Sequence, residues 1–132
     1  MNRPSDDIRV WEQLRRTPQL LVELTSTDAP CAEHELRVQK RLRARYPPDL
    51  VRAAVELIQA RQRARGKFSR ADRMWFDRRG VEQATDELIA RRKAERFAAH
   101  PEVVDLCCGV GGDTIALAQR TGVVAVDESP LA

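Results

Sequence analysis

Cysteine is scarce in this chain, with three in 132 residues: Cys31, Cys107 and Cys108. The last two are adjacent and cannot form an ordinary bridge, and no CxxC pair offers zinc spacing. A disulfide framework is therefore not expected, and a reducing, cytoplasmic setting is. Histidine is scarcer still. His34 and His100 stand alone, so no metal site is expected. Long apolar runs are missing, which excludes a transmembrane helix. Met1 to Asp7 is polar and lacks the apolar region of a signal peptide. Internal repeats and low-complexity tracts are absent too. Lysine is rare beside arginine, and an arginine-dominated set of cations suits phosphate contact. A GC-rich genome would favour the same composition without any function behind it.

What remains is 42% apolar and 33% charged, the balance of a soluble, helix-rich protein. Charge is unevenly spread. Residues 1–100 carry 22 cations and 15 acids, a net +7, whereas residues 101–132 carry Arg120 against five acids, a net −4. The expected organisation follows this division: a basic helical domain over 1–100 and an α/β part over 101–132.

In the first hundred residues, apolar positions at helical spacing predict a series of helices. The first covers Ile8 to Arg16, with Ser5 as its N-cap. Thr17-Pro18 starts the second, Thr as N-cap and Pro at the first helical position. A turn at Ser26 to Pro30 precedes a third over Cys31 to Arg45. The longest runs from Pro48 and Asp49 to about Arg65. Ser69 caps a short helix through Ala71 to Trp75, and Phe76 to Gly80 reads as a turn or extended stretch. Thr85-Asp86-Glu87 opens a last helix to about Phe97, expected to bury Leu88, Ile89 and Phe97.

The most informative stretch is VVDLCCGVGGDTIALAQRTGVVAVD, Val103 to Asp127. It reads as strand, glycine-rich turn, helix, strand, with Gly122 stopping the helix in a left-handed conformation. Gly109, Gly111 and Gly112 let a ligand approach the main chain, and the helix that follows begins with free N–H groups. Asp127 closes the second strand, where an acid can accept both hydroxyls of a ribose. A dinucleotide fingerprint would need a glycine at position 114, where Thr114 stands. Asp105 ahead of the glycines would repel a pyrophosphate and attract an ammonium group. That order favours S-adenosyl-L-methionine over NAD. A βαβ turn with no ligand is the structural alternative.

The segment DLCCGVGGDTIALA is similar to motif I of class I S-adenosylmethionine-dependent methyltransferases. It most resembles the trimethylguanosine synthase-like group and bacterial THUMP-like-domain methyltransferases. Those bacterial relatives also carry an upstream block similar to Lys67–Ala98. The resemblance implies an all-helical N-terminal domain followed by the first β-α-β unit of a Rossmann-like fold. It implies that Asp105, Cys107, Gly109, Gly111, Gly112 and Asp113 lie at the cofactor, with Asp127 on the ribose. It also implies further strands and an acceptor-binding motif that this sequence does not contain. The chain therefore reads as the N-terminal part of a longer enzyme, truncated and by itself inactive, and no catalytic residue is assigned.

The acceptor expected from charge and from that resemblance is RNA. Arg61, Arg63, Arg65 and Lys67 form the nominated contact, with Phe68, Trp75 and Phe76 nearby as stacking candidates or core residues. The same arginines also fit a solvated helix end. Arg37 to Arg45 reads as a second solvated charge run. Glu82 to Thr85 reads as a lid against the cofactor or simply a helix start. Cys107 and Cys108 are expected to act as small apolar residues, not nucleophiles. Two further readings stay open: an NAD(P)-dependent Rossmann oxidoreductase, and a non-enzymatic basic helical module that binds nucleic acid.

Overall fold

The computed structural model describes residues 4–25 and 32–129, and for residues 4–7 and 32–35 the backbone only. The expected cap Ser5 is the second residue of a helix that begins at Pro4, with its side chain outside what is described; the turn at 26–30 and Cys31 lie outside the described residues. The architecture is mixed α/β, mostly helical with a small parallel sheet. It divides into two compact units, Met1–Ile58 and Gln59–Ala132.

The first unit holds α1 (Pro4–Arg15), α2 (Pro18–Thr25), α3 (Ala32–Arg43) and most of α4 (Pro48–Ala64). Its buried residues are aliphatic: Leu14, Leu20, Val38, Leu42, Leu50, Val51 and Leu57. Val38 and Leu42 on α3, and Leu50, Ala54 and Leu57 on α4, recur at helical spacing, so these two helices each turn an apolar stripe inward, while α1 and α2 contribute Leu14 and Leu20. Pro18 begins α2, as its fixed φ favours. The Thr17 hydroxyl donates back to the Gln13 carbonyl, 2.9 Å away, and so satisfies the end of α1. Beyond α3, Arg45 Nη1 and the Tyr46 hydroxyl both donate to Glu23, at 2.7 and 3.1 Å.

The second unit begins within α4 and continues through a 3-10 turn (Ala71–Arg73), α5 (Arg78–Gln83), α6 (Glu87–Ala94), a second 3-10 turn (Glu95–Phe97), β1 (Glu102–Leu106), α7 (Gly112–Ala118) and β2 (Gly122–Val126). Residues 59–100 thus fall with the sheet, whereas the charge division groups them with the preceding helices. The reason is packing. The last turn of α4 supplies Ala60 and Ala64 to a core with Phe68, Ala71, Phe76 and Val81, and Val110 of the glycine loop packs on it. The Phe68 and Phe76 rings lie 6.3 Å apart within this core. They are buried packing residues, not stacking platforms for bases.

Three local expectations are corrected. The stretch after Phe76 is not a turn but α5, capped by Asp77, whose carboxylate accepts from the Gly80 N–H at 2.6 Å. Leu88, Ile89 and Phe97 are exposed, at 75%, 58% and 41%. The buried side of α6 is instead Ala90 and Ala94, which meet Ala116 and Leu117 of α7. Small residues at i and i+4 share one helix face and let the two helices approach closely. Gly122 is not left-handed. It is the first residue of β2, pairs with Glu102 and donates to the Pro101 carbonyl at 3.2 Å.

β1 and β2 pair in parallel, Glu102 with Gly122 through Leu106 with Val126. The Thr114 hydroxyl donates to Asp105, which puts α7 on the face carrying Val103 and Asp105. Val104, Leu106, Val124 and Val126 on the opposite face are exposed. No helix among the described residues is long and apolar enough to cross a membrane.

Candidate functional site

Between the end of β1 and the start of α7, the backbone enters the left-handed region three times. Cys107, Gly109 and Gly111 have φ of 61°, 52° and 80°. Among the described residues, Cys107 is the one with a side chain in the left-handed region. That conformation costs about 1–2 kcal/mol outside glycine. Gly112 matters for a different reason. A Cβ there would sit 3.0 Å from the backbone oxygen of Thr85, so a side chain at the start of α7 would force the Thr85 backbone to give way by a few tenths of an ångström. Gly80 does the same for the opposite side of the loop, where a Cβ would meet Val110 at 2.4 Å.

These close approaches bring α5 and the link after it against the glycine loop and leave a cavity of about 540 Å³. Arg79, Gly80, Gln83 and Thr85 form one wall; Cys107, Cys108, Gly109 and Asp113 form the other; Asp127 to Ser129 form the rim. The charge of the lining is lopsided. Asp77, Asp113, Asp127 and Glu128 line it beside a single guanidinium, that of Arg79, and Lys93, outside the lining, pairs with Asp113.

Asp127 anchors the loop. Its Oδ2 accepts from the Gly109 N–H at 2.7 Å and its Oδ1 from the Ser129 N–H at 2.8 Å. These backbone donors, Ser129 foremost, hold its carboxyl below the ordinary value of 3.8 against the opposing effect of burial. Hydrogen bonds to the charged form favour it. Asp127 is therefore an ionised acceptor at neutral pH, and a carboxylate with two bonds still has lone pairs for further donors. Asp113 is differently placed. Its Oδ2 accepts from the Thr85 hydroxyl at 2.9 Å and from Lys93 Nζ at 2.6 Å. Its Oδ1 is buried with no donor among the described residues. An acceptor left without a partner in such a place costs on the order of 1–3 kcal/mol.

Of the residues nominated from sequence, Cys107, Gly109, Gly112, Asp113 and Asp127 line this cavity. Asp105 and Gly111 do not. Asp105 accepts from Thr114 and lines a smaller cavity of about 340 Å³ with Lys93, Phe97 and Val103. Gly111 sits at the N-cap of α7. Burial and the nearby Asp127 and Asp105 carboxylates raise the Cys108 thiol pKa, which keeps it protonated and unreactive. Among the described residues no cluster of three metal-ligating side chains occurs.

The four nominated cations separate into two pairs. Arg61 Nε donates to the Met74 carbonyl at 3.0 Å, and its guanidinium lies 5.5 Å from the centre of the Trp75 ring. Burial lowers its pKa, an effect partly offset by Asp72. Lys67 Nζ donates to the carbonyls of Val81, Glu82 and Ala84 at 2.8, 3.2 and 3.0 Å. It closes the C-terminal end of α5, where a cation is favoured. Arg63 and Arg65 are exposed. Sequence reasoning does not find Arg79 as part of the cavity wall, nor Lys67 as the closure of α5. Asp77, a capping residue followed three positions later by Gly80, is the available signal for α5.

A family model described as a domain of unknown function (DUF8688) matches residues 18–64, which run from the first residue of α2 to the last of α4. No curated protein and no solved structure matches the chain.

Proposed function

We propose that the cavity on the glycine loop binds S-adenosyl-L-methionine and that the protein is a methyltransferase acting on RNA. In this reading β1, α7 and β2 are the first unit of a Rossmann-like sheet. The observation that carries it is the charge of the lining: four carboxylates and one guanidinium around a glycine loop whose N–H is clasped by Asp127. A sulfonium and an ammonium are attracted to such a wall, and a diphosphate is repelled. Asp127 accepts from the ribose hydroxyls. Asp113 offers an oxygen that still lacks a donor among the described residues. When bound, S-adenosylmethionine supplies an electrophilic methyl group; these residues bind and orient it. The RNA part of the reading rests on the exposed Arg63 and Arg65.

Equilibrium dialysis of the full chain with S-adenosylhomocysteine and, separately, NADH tests the assignment. Retention of S-adenosylhomocysteine by the wild type, about 100-fold weaker in Asp127→Ala, is expected from the loss of charge-assisted hydrogen bonds. Retention of NADH in preference ends the proposal.

A further inference from the structure

The two arginines that open α5 are treated differently by the fold. Arg78 Nε donates to Glu82 one turn on, at 2.8 Å, and its charge is compensated. Arg79 is exposed, lines the cavity, and makes no hydrogen bond or ion pair among the described residues. No acid stands in the first turn of α5. A cation at that end of a helix gains nothing from the backbone dipoles, so local structure does not account for Arg79. Its backbone is nonetheless well fixed. Asp77 caps α5 at one end, Lys67 closes it at the other, and Val81 lies in the core. Arg79 is thus a guanidinium without a counter-ion among the described residues, carried on a braced helix beside an otherwise acidic cavity.

We propose that Arg79 recognises the α-carboxylate of the ligand's amino-acid end. The inference rests on the reading of the cavity as a site for an adenosyl sulfonium. Such a ligand carries one anionic group, and the acids around it cannot hold that group. A planar guanidinium can take a carboxylate through two parallel hydrogen bonds, and a wall with one cation among acids has one place for it. Arg79 would then set specificity. It would separate ligands that keep the carboxylate from ligands that have lost it, while the acids serve the cationic and sugar parts of both.

The test uses the full chain as wild type, Arg79→Ala, Arg79→Lys and the control Arg78→Ala. The ligands are S-adenosylhomocysteine and its decarboxylated analogue S-adenosyl-3-thiopropylamine, which keeps the ammonium. Isothermal titration is expected to show Arg79→Ala binding S-adenosylhomocysteine about tenfold more weakly and the analogue no more weakly than wild type. Arg79→Lys should recover part of the loss, and Arg78→Ala should match wild type. Equal losses for both ligands would mark Arg79 as a structural residue and overturn the inference. Unchanged binding in Arg79→Ala, with Asp127→Ala still impaired, would overturn it while leaving the cavity assignment standing. A wild type that binds neither ligand would remove both.

Discussion

The segment 61–67 and the segment 105–129 carry opposite charge, and the fold uses the two charges in opposite ways. In the first, cations turn inward. Arg61 and Lys67 donate to four backbone carbonyls between them, and only Arg63 and Arg65 of the nominated set stay exposed. In the second, Asp113, Asp127 and Glu128 line a cavity. The difference lies in what the neighbouring backbone offers. The end of a short helix leaves carbonyls without donors, and a long cationic side chain can reach them. The glycine loop offers N–H groups, which one side of the Asp127 carboxylate can hold while other lone pairs stay available. A basic run near a helix end can therefore be structural glue, and an acidic loop can be the binding surface.

The hardest way to break this contrast is Lys67→Met. If the lysine is glue, the variant loses about 2–3 kcal/mol through the three deserted carbonyls, read as a lower denaturant midpoint with unchanged slope. An unchanged midpoint with weakened RNA binding would reverse the assignment. Next comes Gly112→Ala. The added Cβ pushes on the Thr85 backbone. Overpacking of this kind is expected to cost about 1–2 kcal/mol in the same measurement.

The acids make a smaller, pH-dependent contribution. The Ser69 backbone N–H, foremost, holds the Glu87 carboxyl below its ordinary value of 4.5, and the Ser69 hydroxyl and Arg91 add to this. Asp127 is likewise held below 3.8 by Ser129 and Gly109. Both charged forms are favoured by folding. Their stabilisation is therefore complete above the ordinary values and is lost as pH falls through the lower folded values. The thermal midpoint should stay level from neutral pH to about 5 and fall below about 4.5, less steeply in Glu87→Gln. The smallest stability effect belongs to Arg63→Gln with Arg65→Gln, within about 0.5 kcal/mol of wild type. If RNA is the acceptor, that pair should flatten the salt dependence of binding by roughly 0.7 in log–log slope per lost phosphate contact.

Much of the second unit is legible in the sequence because its signals are local. The apolar runs around Val104 and Val124, the glycines between them and the closing Asp127 predict β1, the loop and β2 within a residue or two. The long α4 is equally plain from Pro48 and its apolar stripe. What escapes depends on tertiary contact. α5 is short and held at its end by Lys67, a residue that precedes the helix and that no window of sequence pairs with it. On α6 the sequence pattern predicts a core face at Leu88 and Ile89, which are exposed, whereas close helix packing selects Ala90 and Ala94. The place of Asp105 before the glycines predicts a ligand contact; what the local pattern does not show is that Thr114 on the next helix donates to its carboxylate and that Asp105 lines the smaller cavity.

Amide shifts on a ¹⁵N-labelled full chain titrated with S-adenosylhomocysteine give the most direct test of the central claim, that the acidic cavity and not the basic segment receives the adenosyl ligand. Saturable shifts are expected at Gly109, Ser129 and Thr85, with Arg63, Arg65 and the first unit unmoved. Shifts centred on Arg63 and Arg65 with the Gly109 amide unmoved, or no shifts at all, would contradict it.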